Sequence, residues 1–138
     1  MKFEDYIKKD QVRKAKSDKF LAKSLLDTAE MDLRFLVRIR IDSISARKIM
    51  SNYYDVLRSI LEAIVTLDGY KIYSHEAFTY FLLEKGDLVI SKKFDRFRKI
   101  RNKINYYGKN ISKEETEENV EEIKRLIKIL KHKYLDKL

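Results

Sequence analysis

The chain has 138 residues with 44% hydrophobic and 38% charged side chains, which is typical of one globular, soluble domain spanning residues 1–138. It contains no cysteine and two histidines, so disulfides and thiolate metal sites are excluded, and neither a metal nor a cofactor is expected. No segment has the length of a membrane span or signal peptide, so a cytoplasmic location is expected, and the net charge of +9 either favours anionic partners such as RNA or serves solubility alone.

The first predicted helical segment runs from about Asp10 to Ile41. Its apolar residues follow a helical period up to Leu36. The run Val37–Ile41 then alternates between apolar and basic residues, which is a strand signal. Because this run is short and no partner strand is evident, we expect it to be helical or an irregular end.

Glycine occurs three times, and each glycine follows an apolar-periodic segment. Gly69, Gly86 and Gly108 are therefore predicted to be left-handed caps at helix C-termini. The segment before the first of them, about Ala46 to Leu67, carries apolar residues at i, i+3, i+4 and i+7 and is predicted to be a long helix.

Three further helices are predicted downstream. Ser74 is expected to cap a short helix from His75 to about Lys85. The next helix runs from about Ser91 to Tyr107, and a capping box at Ser112–Glu115 opens the last one. The sequence therefore predicts an all-α, up-and-down bundle of four to five helices.

Arg101 occupies an unexpected position on the predicted helix from Ser91 to Tyr107. On a helical wheel it lies within the apolar arc, whereas Lys99, Lys103 and Tyr106 point elsewhere. Asn105 flanks the arginine one turn on, with Arg98 on the same side. The arc is formed by Ile90, Phe94, Phe97, Ile104 and Gly108.

Three interpretations of this arginine remain open. It can pair with a buried carboxylate, Asp55 or Glu62, or extend along its stem to solvent. Alternatively, the stripe faces a cleft or subunit interface where the guanidinium meets phosphate. Residues 91–109 favour the third interpretation, because they hold eight basic residues and one acid, with asparagines and tyrosines that can contact bases.

Three segments of the chain resemble the HEPN domain family. The stretch Arg101-Asn102-Lys103-Ile104-Asn105-Tyr106-Tyr107-Gly108 is similar to its signature, an Arg followed by a polar residue and then a His four to six residues after the Arg. Residues 70–77 and 53–58 resemble segments around the second long helix of prokaryotic members. The resemblance covers about residues 20–135.

The resemblance implies an α-helical bundle that forms a homodimer and brings two Arg/His motifs together. Many HEPN proteins are metal-independent ribonucleases, in which the 2′-hydroxyl attacks the neighbouring phosphate. Some are toxins paired with a small nucleotidyltransferase. Others are non-catalytic modules that bind RNA or nucleotide.

Tyr106 stands where the family has its histidine, so whether the chain is an enzyme stays open. A tyrosine with an ordinary pKa near 10 is a poor base at pH 7 but can donate a hydrogen bond. His75 is the other candidate: at the first position of a helix it is either a neutral base or a half-buried histidine bonded to backbone or to Glu76.

The sequence therefore supports two hypotheses. The first is an RNA-directed HEPN domain, with or without weak ribonuclease activity, and the second is a non-enzymatic module that binds nucleotide or a nucleotidyltransferase. The candidate catalytic residues are Arg101, Tyr106 and His75, and Asp55 is the expected structural partner of Arg101. The candidate nucleic-acid-binding residues are Arg98, Lys99, Arg101, Asn102, Lys103, Asn105 and Tyr107.

Overall fold

The computed structural model describes all residues, Met1–Leu138. It is a helical bundle, as predicted, although it has six helices and an additional two-stranded sheet. The helices are α1 (Phe3–Lys8), α2 (Lys19–Leu36), α3 (Ala46–Leu67), α4 (His75–Glu84), α5 (Leu88–Tyr107) and α6 (Lys113–Tyr134), and the strands are β1 (Val12–Lys14) and β2 (Tyr70–Ile72). None of the helices combines the length and the apolar character that crossing a membrane requires.

Helix α3 lies at the centre of the bundle. It packs against α2, α5 and α6, and it also contacts β2. Its apolar residues recur so often that most of its circumference is buried, which is the pattern of a core helix rather than a surface helix. Aromatic rings fill the core around it, chiefly Tyr53, Tyr54, Phe78, Phe81, Phe94 and Phe97.

All three glycines have the predicted left-handed backbone, with φ between 62° and 86°. Gly69 is the most constrained of them, because a Cβ there would lie 3.1 Å from the carbonyl oxygen of Ala15. The two residues are also joined by a hydrogen bond, which the Ala15 amide donates to the Gly69 carbonyl. Glycine at this position therefore lets the chain from α3 into β2 pass close to the N-terminal segment.

The predicted helix from residue 10 is wrong in its first part. Asp10 has a left-handed φ of 58° and ends the short helix α1, which the sequence pattern did not indicate. Residues Val12–Lys14 then pair antiparallel with Tyr70–Ile72. Helix α2 begins only at Lys19, because the Asp18 side chain accepts a hydrogen bond from the Leu21 amide and caps it there.

The run Val37–Ile41 forms the irregular end of α2, one of the two predicted alternatives. Helix α5 begins at Leu88 rather than at the predicted Ser91. Its N-cap, Asp87, makes no cap bond, because its carboxylate accepts hydrogen bonds from Lys133 and Tyr134 at the end of α6. This contact ties the last helix to the start of α5.

The two predicted serine caps differ. Ser112 accepts a hydrogen bond from the Glu115 amide, so the predicted start of α6 is confirmed. Ser74 holds the N-cap position of α4 with an extended backbone, but its side chain makes no cap hydrogen bond. Helix α4 therefore begins where the sequence predicts, with a backbone hydrogen bond from the Ala77 amide to the Ser74 carbonyl but without the predicted side-chain cap.

Candidate functional site

An open cleft of about 540 Å³ lies between α2 and α3, and it reaches the first residue of α4 and the middle of α5. Helix α3 supplies one wall through residues spaced three and four apart, which share one face of a helix. The cleft is lined by Asp32, Phe35, Leu36, Asn52, Asp55, Val56, Arg58, Ser59, His75 and Arg101. Arg101 therefore faces a cleft and not only the core.

The Arg101 guanidinium is nearly buried but poorly compensated. Only 16% of its side chain is exposed, and its Nη2 lies 3.9 Å from Asp55 Oδ1, so the predicted partner is present at ion-pair distance but beyond hydrogen-bond distance. Its Nη1 donates one long hydrogen bond of 3.4 Å to the Tyr106 hydroxyl. Its Nε is buried with no partner. A planar cation with five donors thus uses one of them.

Two tyrosine rings flank the same guanidinium. Its central carbon lies 5.6 Å from the centroid of the Tyr54 ring and 5.7 Å from that of Tyr106. The helical wheel placed Tyr106 away from Arg101, whereas the structure brings the two side chains into contact. The reason is the length of both side chains, since a hydroxyl and a guanidinium five positions apart can meet over one helical turn.

Arg58 is a cleft residue that the sequence patterns did not single out. Its Nη1 donates to Glu62 Oε1 at 2.5 Å, and its Nε is buried with no partner. The available signal was its spacing: Arg58 lies three residues after Asp55 and four before Glu62, on the helix already expected to pack beside Arg101. Glu62 thus pairs with Arg58 and not with Arg101.

His75 also lines the cleft, where burial changes its chemistry. Burial, together with the charges of Arg58, Arg101 and Arg98, lowers the pKa of its imidazole to about 4, and burial has the largest effect. Burial is therefore the main cause, rather than the helix dipole that its sequence position indicated. The ring is neutral at pH 7.

A hydrogen bond to Tyr54 determines where the His75 ring carries its proton. The Tyr54 hydroxyl lies 3.2 Å from His75 Nδ1 and has no other partner, and the tyrosine is fully buried. Burial also raises the pKa of this phenol, so it keeps its proton. Because a buried hydroxyl hydrogen needs an acceptor, Tyr54 donates to Nδ1, and His75 carries its proton on Nε2. The imidazole therefore offers a donor at Nε2 rather than a base.

Arg98 and Lys99 are not brought into the cleft. Arg98 donates from both Nε and Nη2 to Asp95 Oδ1, and Lys99 lies 3.0 Å from the other oxygen of Asp95. The two basic groups lower the pKa of this carboxyl against the effect of its burial. The one acid of the basic stretch is thus shared between two of its cations, which leaves less uncompensated charge than the sequence indicated.

The remaining predicted residues lie along the last turns of α5. Asn105 Oδ1 accepts a hydrogen bond of 2.9 Å from the Ser51 hydroxyl, so it links α5 to α3. Asn102 is half-buried, and Lys103 and Tyr107 are exposed. Exposed polar and aromatic groups therefore surround the helix end next to Arg101, outside the cleft itself.

No group of three or more histidine and carboxylate side chains is arranged to hold a metal ion. The cleft brings together hydrogen-bond donors from two guanidiniums and one imidazole with the two carboxylates of Asp32 and Asp55. In comparisons with known proteins, no family model matches the chain, and no curated protein or solved structure matches it either.

Proposed function

We propose that this chain is an RNA-directed, HEPN-like protein that binds a phosphate of its RNA in the α2–α3 cleft through Arg101. One observation carries the proposal: the Arg101 guanidinium lines the cleft, is 16% exposed, and has its nearest carboxylate at 3.9 Å. A nearly buried cation with unused donors is costly unless an anion approaches it.

The chemistry of the donors favours a phosphate. A guanidinium presents its N–H groups as a planar fork that matches two phosphate oxygens at once. Arg58 lines the same cleft and adds a second positive charge, and the Nε2–H of His75 adds a neutral hydrogen-bond donor. Asp55 prevents the free site from being strongly charged, which fits a site that exchanges its ligand.

RNA is the phosphate source that the rest of the molecule favours. The net charge of +9 attracts a polyanion, and Tyr106 and Tyr107 are 70% and 74% exposed next to the cleft arginine. Exposed tyrosines beside basic groups stack on unpaired bases. A free nucleotide remains the alternative ligand of the same site.

The same geometry favours binding over efficient cleavage. Attack by a 2′-hydroxyl on phosphate needs a group that accepts its proton near neutral pH. Tyr54 occupies the acceptor nitrogen of His75, and Tyr106 stands where the HEPN signature has its histidine. We therefore propose the non-catalytic form of the function, with metal-independent ribonuclease activity as the competing outcome of the test.

Three further proposals rest on the HEPN resemblance. The chain forms a homodimer in which part of the segment Ser91–Gly108 is buried. A nucleotidyltransferase is its proposed protein partner, as in toxin–antitoxin pairs. The proposed location is the cytoplasm.

The test is incubation of the purified protein with mixed RNA in EDTA, followed by gel analysis of the RNA and by filter-binding. We expect retention of intact RNA by the wild type and a loss of retention in Arg101→Ala. The matched control is Arg125→Ala, because Arg125 is an exposed arginine of α6 without an ion-pair partner. Equal retention by all three proteins contradicts the proposed phosphate site, and cleavage that requires Arg101 contradicts the non-catalytic form.

A further inference from the structure

The outward face of the small β-sheet carries two cations directly opposite each other. In the β1–β2 register, Arg13 is the partner of Lys71, and both side chains are exposed. The neighbouring pair, Val12 and Ile72, points the other way and is buried. The alternation of a strand thus places a hydrophobic pair on the core and a basic pair in solvent.

This basic pair has no compensating acid. Neither Arg13 nor Lys71 lies within 4.0 Å of a carboxylate oxygen, although much of the basic surface of α5 and α6 is paired with acids. Like charges directly opposite each other on two strands are destabilising. Lys14 and Lys16 continue the same edge, are exposed, and have no ion-pair partner either. The sheet therefore presents uncompensated positive charge.

An exposed aromatic ring completes this surface. Tyr73 follows β2, and its amide donates a hydrogen bond to the Gln11 carbonyl, which extends the pairing by one residue. The Arg13 guanidinium carbon and Lys71 Nζ lie 5.6 Å and 5.7 Å from the centroid of the Tyr73 ring, and 55% of the tyrosine is exposed. An accessible ring next to two cations is the combination that holds single-stranded nucleic acid.

The surface adjoins the cleft. Tyr73 is separated from His75 by one residue, so an extended backbone places them at most about 7 Å apart along the chain. His75 lines the cleft that holds Arg101. A strand whose phosphate lies in the cleft can therefore reach the sheet with the nucleotides that follow.

We propose that the outer face of the β1–β2 sheet, formed by Arg13, Lys71 and Tyr73, is a second contact for single-stranded RNA that is anchored in the cleft. This inference rests on the proposed function and narrows it. The ligand is an extended, unpaired RNA of several nucleotides rather than a mononucleotide. The cations contact its phosphates, and the tyrosine stacks on a base.

The experiment is a fluorescence-anisotropy titration with labelled oligouridylates from a dinucleotide to about 12 nucleotides, the range of site sizes for single-strand binders. The test variants are Tyr73→Ala and the double variant Arg13→Ala/Lys71→Ala. The control is Arg125→Ala/Lys128→Ala, which removes the same charge from exposed positions of α6, a helix that packs on α3. Thermal melts of all variants verify that each is folded.

For the wild type we expect the affinity for oligouridylates to rise with their length. In both test variants the affinity gained between the dinucleotide and the longest oligouridylate should fall about tenfold, while the dinucleotide binds as before. Loss of two phosphate contacts should lower the slope of log affinity against log salt by about 1.4, at about 0.7 per contact for single strands. The α6 double variant should keep the length-dependent gain.

Three results overturn the inference in different ways. Retention of the full gain in both sheet variants, with Arg101-dependent dinucleotide binding intact, means that the sheet does not contact RNA and the proposed function stands. Absence of binding at every length, or binding that does not depend on Arg101, removes the proposed function and this inference with it. An equal loss in the sheet and α6 double variants assigns the effect to net charge alone.

Discussion

Replacing Arg101 by methionine separates its contribution to stability from its proposed contribution to binding. The buried, unpartnered Nε carries a desolvation cost of about 1–3 kcal/mol, which an apolar side chain removes. The change gives up the contact with the Tyr54 ring, at about 0.5–2 kcal/mol, and an ion pair with half-exposed Asp55, at about 0–1 kcal/mol. It also gives up the long hydrogen bond and the ring contact with exposed Tyr106, at about 0.5 kcal/mol each. These amounts nearly cancel, so Arg101→Met should fold about as well as the wild type.

Binding should respond much more strongly than stability. Each hydrogen bond from a charged donor contributes about 1.5–3 kcal/mol, so losing a two-point phosphate contact should lower RNA affinity by about 100-fold or more. Arg101→Lys should keep the fold and the charge yet also lose binding, because an ammonium cannot make the planar two-point contact. RNA titrations and thermal melts on both variants, with Arg125→Met as the exposed control, measure the two effects side by side.

Three outcomes contradict this reasoning. If Arg101→Met melts about 8 °C lower, equivalent to a loss of about 2 kcal/mol at about 4 °C per kcal/mol for a chain of this size, the guanidinium is a structural strut. If the same variant also binds RNA as well as the wild type, the phosphate site does not lie at Arg101. A result in which Arg101→Met binds RNA normally and Arg101→Lys does not is equally incompatible with a two-point contact.

Three further predictions concern pH, assembly and the helix caps. Because folding lowers the pKa of His75 from 6.5 to about 4, the unfolded chain binds more protons than the folded chain between pH 4 and 6.5. The melting temperature should therefore fall as the pH is lowered from about 6.5 to 4, and this fall should be smaller in His75→Asn. Light scattering at high micromolar concentration should give a dimer mass, and a strictly monomeric mass contradicts the proposed burial of part of Ser91–Gly108. In urea denaturation, Gly108→Ala should lower the free energy of unfolding by about 1–2 kcal/mol because of its left-handed backbone alone. Gly69→Ala should lower it more, because the added Cβ lies 3.1 Å from a carbonyl oxygen. Equal losses in the two variants mean that the structure relieves this close approach.

The long helices were predictable because their signals are local and repeated. The bounds Ala46–Leu67 match the predicted helix, since its apolar period continues for six turns and a glycine follows it. Arg101 was recognisable for the opposite reason, as one charge inside an apolar arc. Asp55 beside it followed from the expected packing of two long helices.

The sheet and the chemistry of His75 were not predictable from local patterns. Strands of three residues carry too few alternations to give a period, and the partner of β1 lies beyond two helices in the chain. The tautomer of His75 depends on a hydroxyl from α3, 21 residues earlier, and its pKa depends on burial. Such properties belong to the assembled fold rather than to any short stretch of sequence.

The pairing of β1 with β2 has a consequence for the order in which parts of the molecule open. It joins the N-terminal residues to the segment immediately before His75, and α1 also packs on α4, the helix that His75 begins. The pairing closes a loop over residues 15–69 with two three-residue strands, so its hydrogen bonds should be among the first to exchange with solvent. Detachment of residues 1–14 would then loosen the start of α4 while α3 stays folded. Under the proposed function, the affinity of the cleft for RNA should therefore depend on the docking of the N-terminus.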